Sequence, residues 1–227
     1  MKVVCMIPAR MESKRIPNKN VKLLGGIPLI SHAIRAAKEA SCFDEIYVNS
    51  ESPEIGELAL QEGVSFYLRP NYLSSDTATN DEFTGDFLSL ISCTYVVQLL
   101  PTSPFITAEE IRDFTKMTTE GGHDTVISVK DVQIESVYKD VPINFDQKKP
   151  TPPSQDLEPI RAYACTLMGW RKTNFLQNMD DLGCAYHGGE GDIKFFPIKG
   201  FSEIDIDHEE DFEMAHAVWS YLNEKKD

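Results

Sequence analysis

"VVCMIPARMESKRIPNKN", residues 3–20, is the stretch that decides the fold. Its first part, VVCMIP, is apolar throughout. That is the pattern of a short strand buried on both faces, as in a parallel sheet covered by helices. Its second part is polar and basic. Arg10, Lys14, Arg15 and Lys19 stand there against one acid, Glu12, in a chain whose formal net charge is −14. Cations gathered directly after a first strand mark the place where an α/β fold receives an anionic ligand.

Reading outward, the same alternation continues. Leu29, Ile30, Ala33, Ile34 and Ala37 recur at helical spacing and predict a helix over 28–40. A strand follows at 45–50. Ser52-Pro53 opens a helix to about 62, with proline in the first turn. A strand at 64–68, a helix at 81–91 and a strand at 95–100 come next. Thr107 and Glu110 have capping-box spacing and start a helix to about 119. TVISV, 125–129, reads as a further strand. Residues 131–160 are Pro-rich and polar, without helical period, and predict an excursion out of the sheet. Strands return at 162–170 and 193–198, and a last helix covers about 209–222. The expectation is one α/β domain over 1–227. It is three-layered, with a mostly parallel sheet, helices on both faces and a protruding arm at about 131–175.

The bulk numbers narrow the function classes. The chain has 227 residues, 41% of them hydrophobic and 26% charged, ordinary values for a globular domain. Its acidic balance opposes general binding to nucleic acid or anionic lipid. No segment approaches the ~20 apolar residues of a membrane span. The short apolar run after Lys2 ends at Pro8-Ala9-Arg10, which is not a secretory-signal pattern, and a cytoplasmic protein is expected. The five cysteines are widely spaced. Cys5, Cys93 and Cys165 lie in or beside apolar runs and read as buried thiols.

Two groups of residues carry chemistry. Arg10, Ser13, Lys14, Arg15 and Lys19 can cradle phosphate, and Gly25-Gly26 can bring bare backbone to it. The loop is neither a GxxxxGK[ST] nor a GxGxxG motif, which removes the P-loop and dinucleotide readings. Asp205 and Asp207 stand two apart on an extended segment, so both carboxylates face one way, which suits a hard cation such as Mg²⁺; alternatively one of them caps the following helix. Asp76 either braces its turn or caps the following helix.

Four segments then share one resemblance. PAR-x-x-S-K-x-x-P-x-K-N with L-x-G-x-P-L-I, LRPNYLSSDTAT (68–79), LLPTSPF (99–105) and IDID (204–207) resemble, in order, the acylneuraminate cytidylyltransferases and, more loosely, the CMP-KDO synthetases. The resemblance implies a nucleotide-diphospho-sugar transferase-like Rossmann variant with a dimerisation arm, acting as a homodimer. It implies transfer of CMP from CTP, with Mg²⁺, to the anomeric hydroxyl of a sialic-acid-like 2-keto sugar acid. By motif position, Arg10, Ser13, Lys14, Lys19 and Asn20 would meet the phosphates, and Arg69, Ala78 and Asn80 the base. Arg10, Lys19 and Asp207 would be catalytic, and Asp205 and Asp207 would hold the metal. Gln98, Leu100, Arg161 and Tyr186 would line the acceptor side. Leu100 stands where the family usually has Gln, and Ile160-Arg161-Ala162-Tyr163-Ala164 replaces its R-P-N-G. A KDO-like or other acceptor, another base, or a nucleotide-binding chain without catalysis therefore remain alternatives.

Overall fold

The computed structural model describes residues 1–224. β1 (Val3–Pro8) is apolar because it has a strand on each side and a helical layer on each face. A two-residue hairpin, β2 (Leu23–Leu24) and β3 (Ile27–Pro28), leads into α1 (Leu29–Ala40). The alternation continues through β4 (Glu45–Ser50), α2 (Pro53–Gln61), β5 (Ser65–Leu68), α3 (Asn80–Leu90), β6 (Tyr95–Leu99), α4 (Ala108–Glu120) and β7 (Thr125–Val132). A small hairpin, β8 (Val137–Tyr138) and β9 (Val141–Pro142), stands apart from the sheet. β10 (Ile160–Arg171), α5 (Lys172–Leu182), β11 (Ile193–Pro197) and α6 (Glu209–Glu224) complete the chain.

The seven-stranded sheet has the order β11-β7-β10-β6-β1-β4-β5. β1 pairs in parallel with β4 and β6, β4 with β5, and β7 with β11. Only β10 runs antiparallel, against both β6 and β7. The mostly parallel, three-layer expectation is therefore met. From β1 the chain first winds outward through β4 and β5, then returns to lay β6 on the other side of β1. The carboxyl ends of β1 and β6 thus flank a topological switch point, where open α/β sheets bind ligands.

Each layer follows from a short sequence rule. On one face α1, α2 and α4 bury Ile30, Ile34, Ile55, Ile111 and Phe114. On the other, α3 and α5 bury Phe87, Leu88 and Phe175 against Met6, Val96 and Trp170. At ~25 cal/mol per Å², each such side chain contributes about 1.5–3 kcal/mol when fully buried. Ser52 accepts from the Ile55 N–H, and Thr107 and Glu110 form the reciprocal box, so both predicted starts hold. α3 is capped by an unforeseen box, Thr79 with Glu82. Asp76 is thereby excluded as the cap. α5 was also unforeseen, because KTNFLQNMDDL has a sparse apolar face, Phe175 being its buried apolar residue.

Two expectations change. Of the stretch 131–175, residues 160–171 belong to the sheet as β10, and only 133–159 leave it. Gly25 and Gly26 do not face the basic loop's ligand side. They turn the β2–β3 hairpin at φ +59° and +84°, and a Cβ on Gly25 would lie 2.0 Å from Trp219 Cε2. Close packing under α6 is what demands the first glycine.

Candidate functional site

A cleft of about 480 Å³ opens at the switch point. The basic loop forms one wall and the turn after β6 another. The 68–80 segment and Asp207 complete the lining, of which Asp205 is not part. Arg10, Ser13, Lys14, Lys19, Asn20, Arg69, Asn80, Leu100 and Asp207 all line it, and Ala78 lines the adjoining recess with Arg69 and Asn80. Thus one site collects residues nearly two hundred positions apart.

The loop is built to hold its shape. Asn18 adopts a left-handed conformation at the start of a single 3₁₀ turn, Lys19–Val21. Asn20, buried, donates Nδ2 to the Arg10 carbonyl at 2.9 Å and closes the loop on itself. Lys19 reaches across to the acidic segment. Its Nζ donates to the Ile206 carbonyl at 2.7 Å and lies 3.4 Å from Asp207 Oδ1.

Every loop cation meets an acid. Arg10 and Lys14 share Asp76, at 3.1 and 2.9 Å. Arg15 binds Asp207 at 2.7 Å, so it too lies in the site. Lys14 first, and Arg10 with it, hold the Asp76 carboxyl below its ordinary range. These are solvent-facing pairs that a more highly charged anion can replace.

Ile206 is fully buried, so Asp205 and Asp207 project from the opposite face of the same extended segment. Burial, and the neighbouring Asp207, push the Asp205 carboxyl above its ordinary range, although the Thr102 hydroxyl works against the shift. Asp205 Oδ1 is buried and has no hydrogen-bond partner. An orphaned carboxylate oxygen beside a second carboxylate fits a hard divalent cation that takes its remaining ligands from substrate and water. No cluster of three or more His, Cys, Asp or Glu poised for a metal occurs among the described residues.

Arg69 lies at the cleft floor with its side chain 4% exposed. Burial pushes its pKa down, and Glu51 opposes that. The guanidinium lies 5.1 Å from the Phe83 ring centroid, stacked as a cation–π pair. Phe83, Thr102 and Glu51 were not singled out in the sequence. Phe83 could have been found from its place three residues after Asn80, on the same helix face.

The acceptor-side residues are dispersed. Leu100 lines the cleft. Gln98 is fully buried, and its Nε2 donates to the Tyr186 hydroxyl at 3.5 Å. Tyr186 packs against Trp170, and its backbone N–H donates to Asp81. Arg161 is exposed and paired with Asp131 at 3.2 Å, outside the cleft lining. Of the thiols read as buried, Cys5 is, while Cys93 and Cys165 are half-buried.

Comparison with known proteins identifies relatives of the chain. The chain is 38% identical to the CMP-N,N'-diacetyllegionaminic acid synthase of Legionella pneumophila over 60% of each protein. It is 28% identical to the N-acylneuraminate cytidylyltransferase of Escherichia coli O18:K1:H7, over 99% of this chain and 54% of that protein. The matched region is thus little more than half of each of these relatives. A solved CMP:2-keto-3-deoxy-manno-octonic acid synthetase, complexed with CTP, superposes with a TM-score of 0.77. That match covers 98% of this chain and 100% of that one at 15% identity, and shows a shared fold. A family model described as Cytidylyltransferase matches residues 4–150, more than half of the length, and the chain belongs to that family.

Proposed function

We propose that this protein transfers CMP from CTP to the anomeric hydroxyl of a sialic-acid-like 2-keto sugar acid, releasing pyrophosphate. The observation that carries the reading is the bond from Lys19 Nζ to the Ile206 carbonyl, which joins the basic loop to the Asp205–Asp207 segment across one cleft. A triphosphate lying there would meet cations on one side and a divalent-ion site on the other.

Arg10, Ser13, Lys14 and Lys19 take the phosphate chain, and Asn20 keeps the loop closed around it. The 78–80 backbone and Arg69 take the base, against Phe83. The acceptor hydroxyl oxygen forms a bond to the α-phosphorus. The bond from that phosphorus to its bridging oxygen breaks, pyrophosphate departs with the electron pair, and the hydroxyl proton passes to solvent. Lys19 and Arg10 stabilise the charge that grows on the leaving group. Fixing both reactants in one cleft supplies much of the remaining acceleration. Asp205 and Asp207 would hold Mg²⁺, which neutralises phosphate charge and polarises the attacking hydroxyl when bound.

The acceptor class is supported by the relatives' activities; Leu100, where the family usually has Gln, makes that wall more apolar. The excursion at 133–159 exposes Ile134, Val137, Tyr138, Val141 and Ile143. Exposed apolar groups at this density favour a covered surface, and we assign it to a homodimer contact. Light scattering at micromolar concentration tests this, and a monomer at full activity would overturn it. All five cysteines are free, in keeping with a cytoplasmic site of action. No helix among the described residues is long and apolar enough to cross a membrane.

Pyrophosphate release is measured with each of the four NTPs, Mg²⁺ and a panel of 2-keto sugar acids. Release with CTP and one acid is expected. Release with a different NTP would overturn the base assignment and leave the chemistry standing.

A further inference from the structure

Glu51 follows β4 and is absent from the cleft lining, yet its carboxylate joins two segments that form the cleft, the basic loop and the 68–80 segment. Oε1 accepts from the Met11 N–H at 2.8 Å, at the start of the basic loop. Oε2 accepts from Ser74 Oγ at 2.8 Å and from Arg69 Nη2 at 3.4 Å. The two oxygens are divided, one holding the phosphate loop and the other holding the arginine.

Arg69 is correspondingly committed. Its Nε donates to Ser74 Oγ at 2.7 Å, and its Nη2 also lies 3.4 Å from the Ala9 carbonyl. Nη1 makes none of these contacts. A buried guanidinium needs a counter-charge, and removing it leaves an uncompensated ion. Glu51 is the carboxylate paired with it, itself only 17% exposed. Burial works against ionisation of Glu51, but the Met11 N–H, the Ser74 hydroxyl and the Arg69 charge outweigh it and hold its carboxyl below the ordinary range.

We infer that Glu51 is a positioning residue for nucleotide-base recognition, fixing Arg69 from outside the cleft so that its Nη1 edge is presented to the base. The inference rests on the proposed CTP reading. It requires that Glu51 act on the base end of the ligand through Arg69, and on the phosphate end only through Met11.

Glu51→Gln separates the two. A Gln oxygen can still accept from Met11, while the counter-charge for Arg69 is gone. Calorimetry would measure CTP and inorganic tripolyphosphate binding to the wild type, Glu51→Gln, Glu51→Asp, Arg69→Ala and the Glu51→Gln/Arg69→Ala double variant. Thermal unfolding would confirm that each is folded. In Glu51→Gln, CTP affinity should fall about tenfold, the order expected for one charge-assisted hydrogen bond. Tripolyphosphate affinity should stay within about twofold. Glu51→Asp, shorter but charged, should recover part of the CTP loss. The double variant should bind CTP no worse than Arg69→Ala alone, because the effect runs through that side chain. Equal losses for both ligands would overturn the inference and reduce Glu51 to a brace of the loop. Unchanged CTP affinity in both Glu51 variants would overturn it as well. A wild-type protein that binds tripolyphosphate but not CTP would instead overturn the CTP reading, before any variant is compared.

Discussion

Lys19→Ala removes the side chain that spans the cleft. Its Nζ donates to the Ile206 carbonyl at 2.7 Å and faces Asp207 at 3.4 Å, and its side chain is 12% exposed. Losing a hydrogen bond from a charged group costs about 1.5–3 kcal/mol, and for a protein of this size that lowers Tm by about 3–12 °C. Against a typical stability of ~5–15 kcal/mol, the folded state still dominates. The loss in turnover should be larger. An ammonium aimed at charge that develops only in the transition state contributes about 10²–10³ in kcat. Lys19→Met keeps the apolar stem and should recover part of the Tm but none of the turnover. The assay is steady-state pyrophosphate release with saturating CTP, run beside a thermal melt. A Tm drop of the stated size with kcat within threefold or so of wild type would make Lys19 a structural tie and refute the reasoning.

Three further outcomes follow from the same geometry. Asp76→Asn frees Arg10 and Lys14 from their shared acid. CTP should then bind several-fold more tightly by calorimetry, and unchanged or weaker binding would show that Asp76 does not compete with phosphate. Gly25→Ala places a Cβ against Trp219 at a positive φ. Strain and overpacking together should cost about 2–4 kcal/mol in urea unfolding, and a cost below about 1 kcal/mol would contradict the packing under α6. Glu51, whose carboxyl is held below the ordinary carboxylate range, stabilises the fold above that range and loses the contribution as pH falls through its depressed native value. The stability of Glu51→Gln should therefore fall less steeply below about pH 4.5 in acid titrations. A slope equal to wild type would contradict the depressed carboxyl.

The sheet was legible because VVCMIP, YVVQLL and TVISV are apolar on both faces and are separated by helices with clear starts at Ser52 and Thr107. α5 was not, because its apolar stripe is thin. The exchange of Asp76 for Thr79 as the α3 cap could not be seen either. Both are good capping types, and the choice depends on Arg10 and Lys14, which lie more than sixty residues away. The basic loop and the Asp205–Asp207 segment were legible as separate chemistries, but their meeting through Lys19 is a property of the fold. Glu51 was hidden for a related reason. Nothing in a strand-end Glu indicates that its carboxylate faces a loop from one segment and an arginine from another. Gly25-Gly26 misled because two adjacent glycines after a basic loop read the same whether they face a ligand or a tryptophan.

The most direct test is mass spectrometry of the products formed from CTP, Mg²⁺ and the panel of 2-keto sugar acids, with pyrophosphate quantified in the same reaction. The account predicts a CMP–sugar acid conjugate from one acid, in equal amount to the pyrophosphate released. CTP that binds yet yields neither conjugate nor pyrophosphate with any acid, or yields pyrophosphate with free CMP and no conjugate, would contradict it.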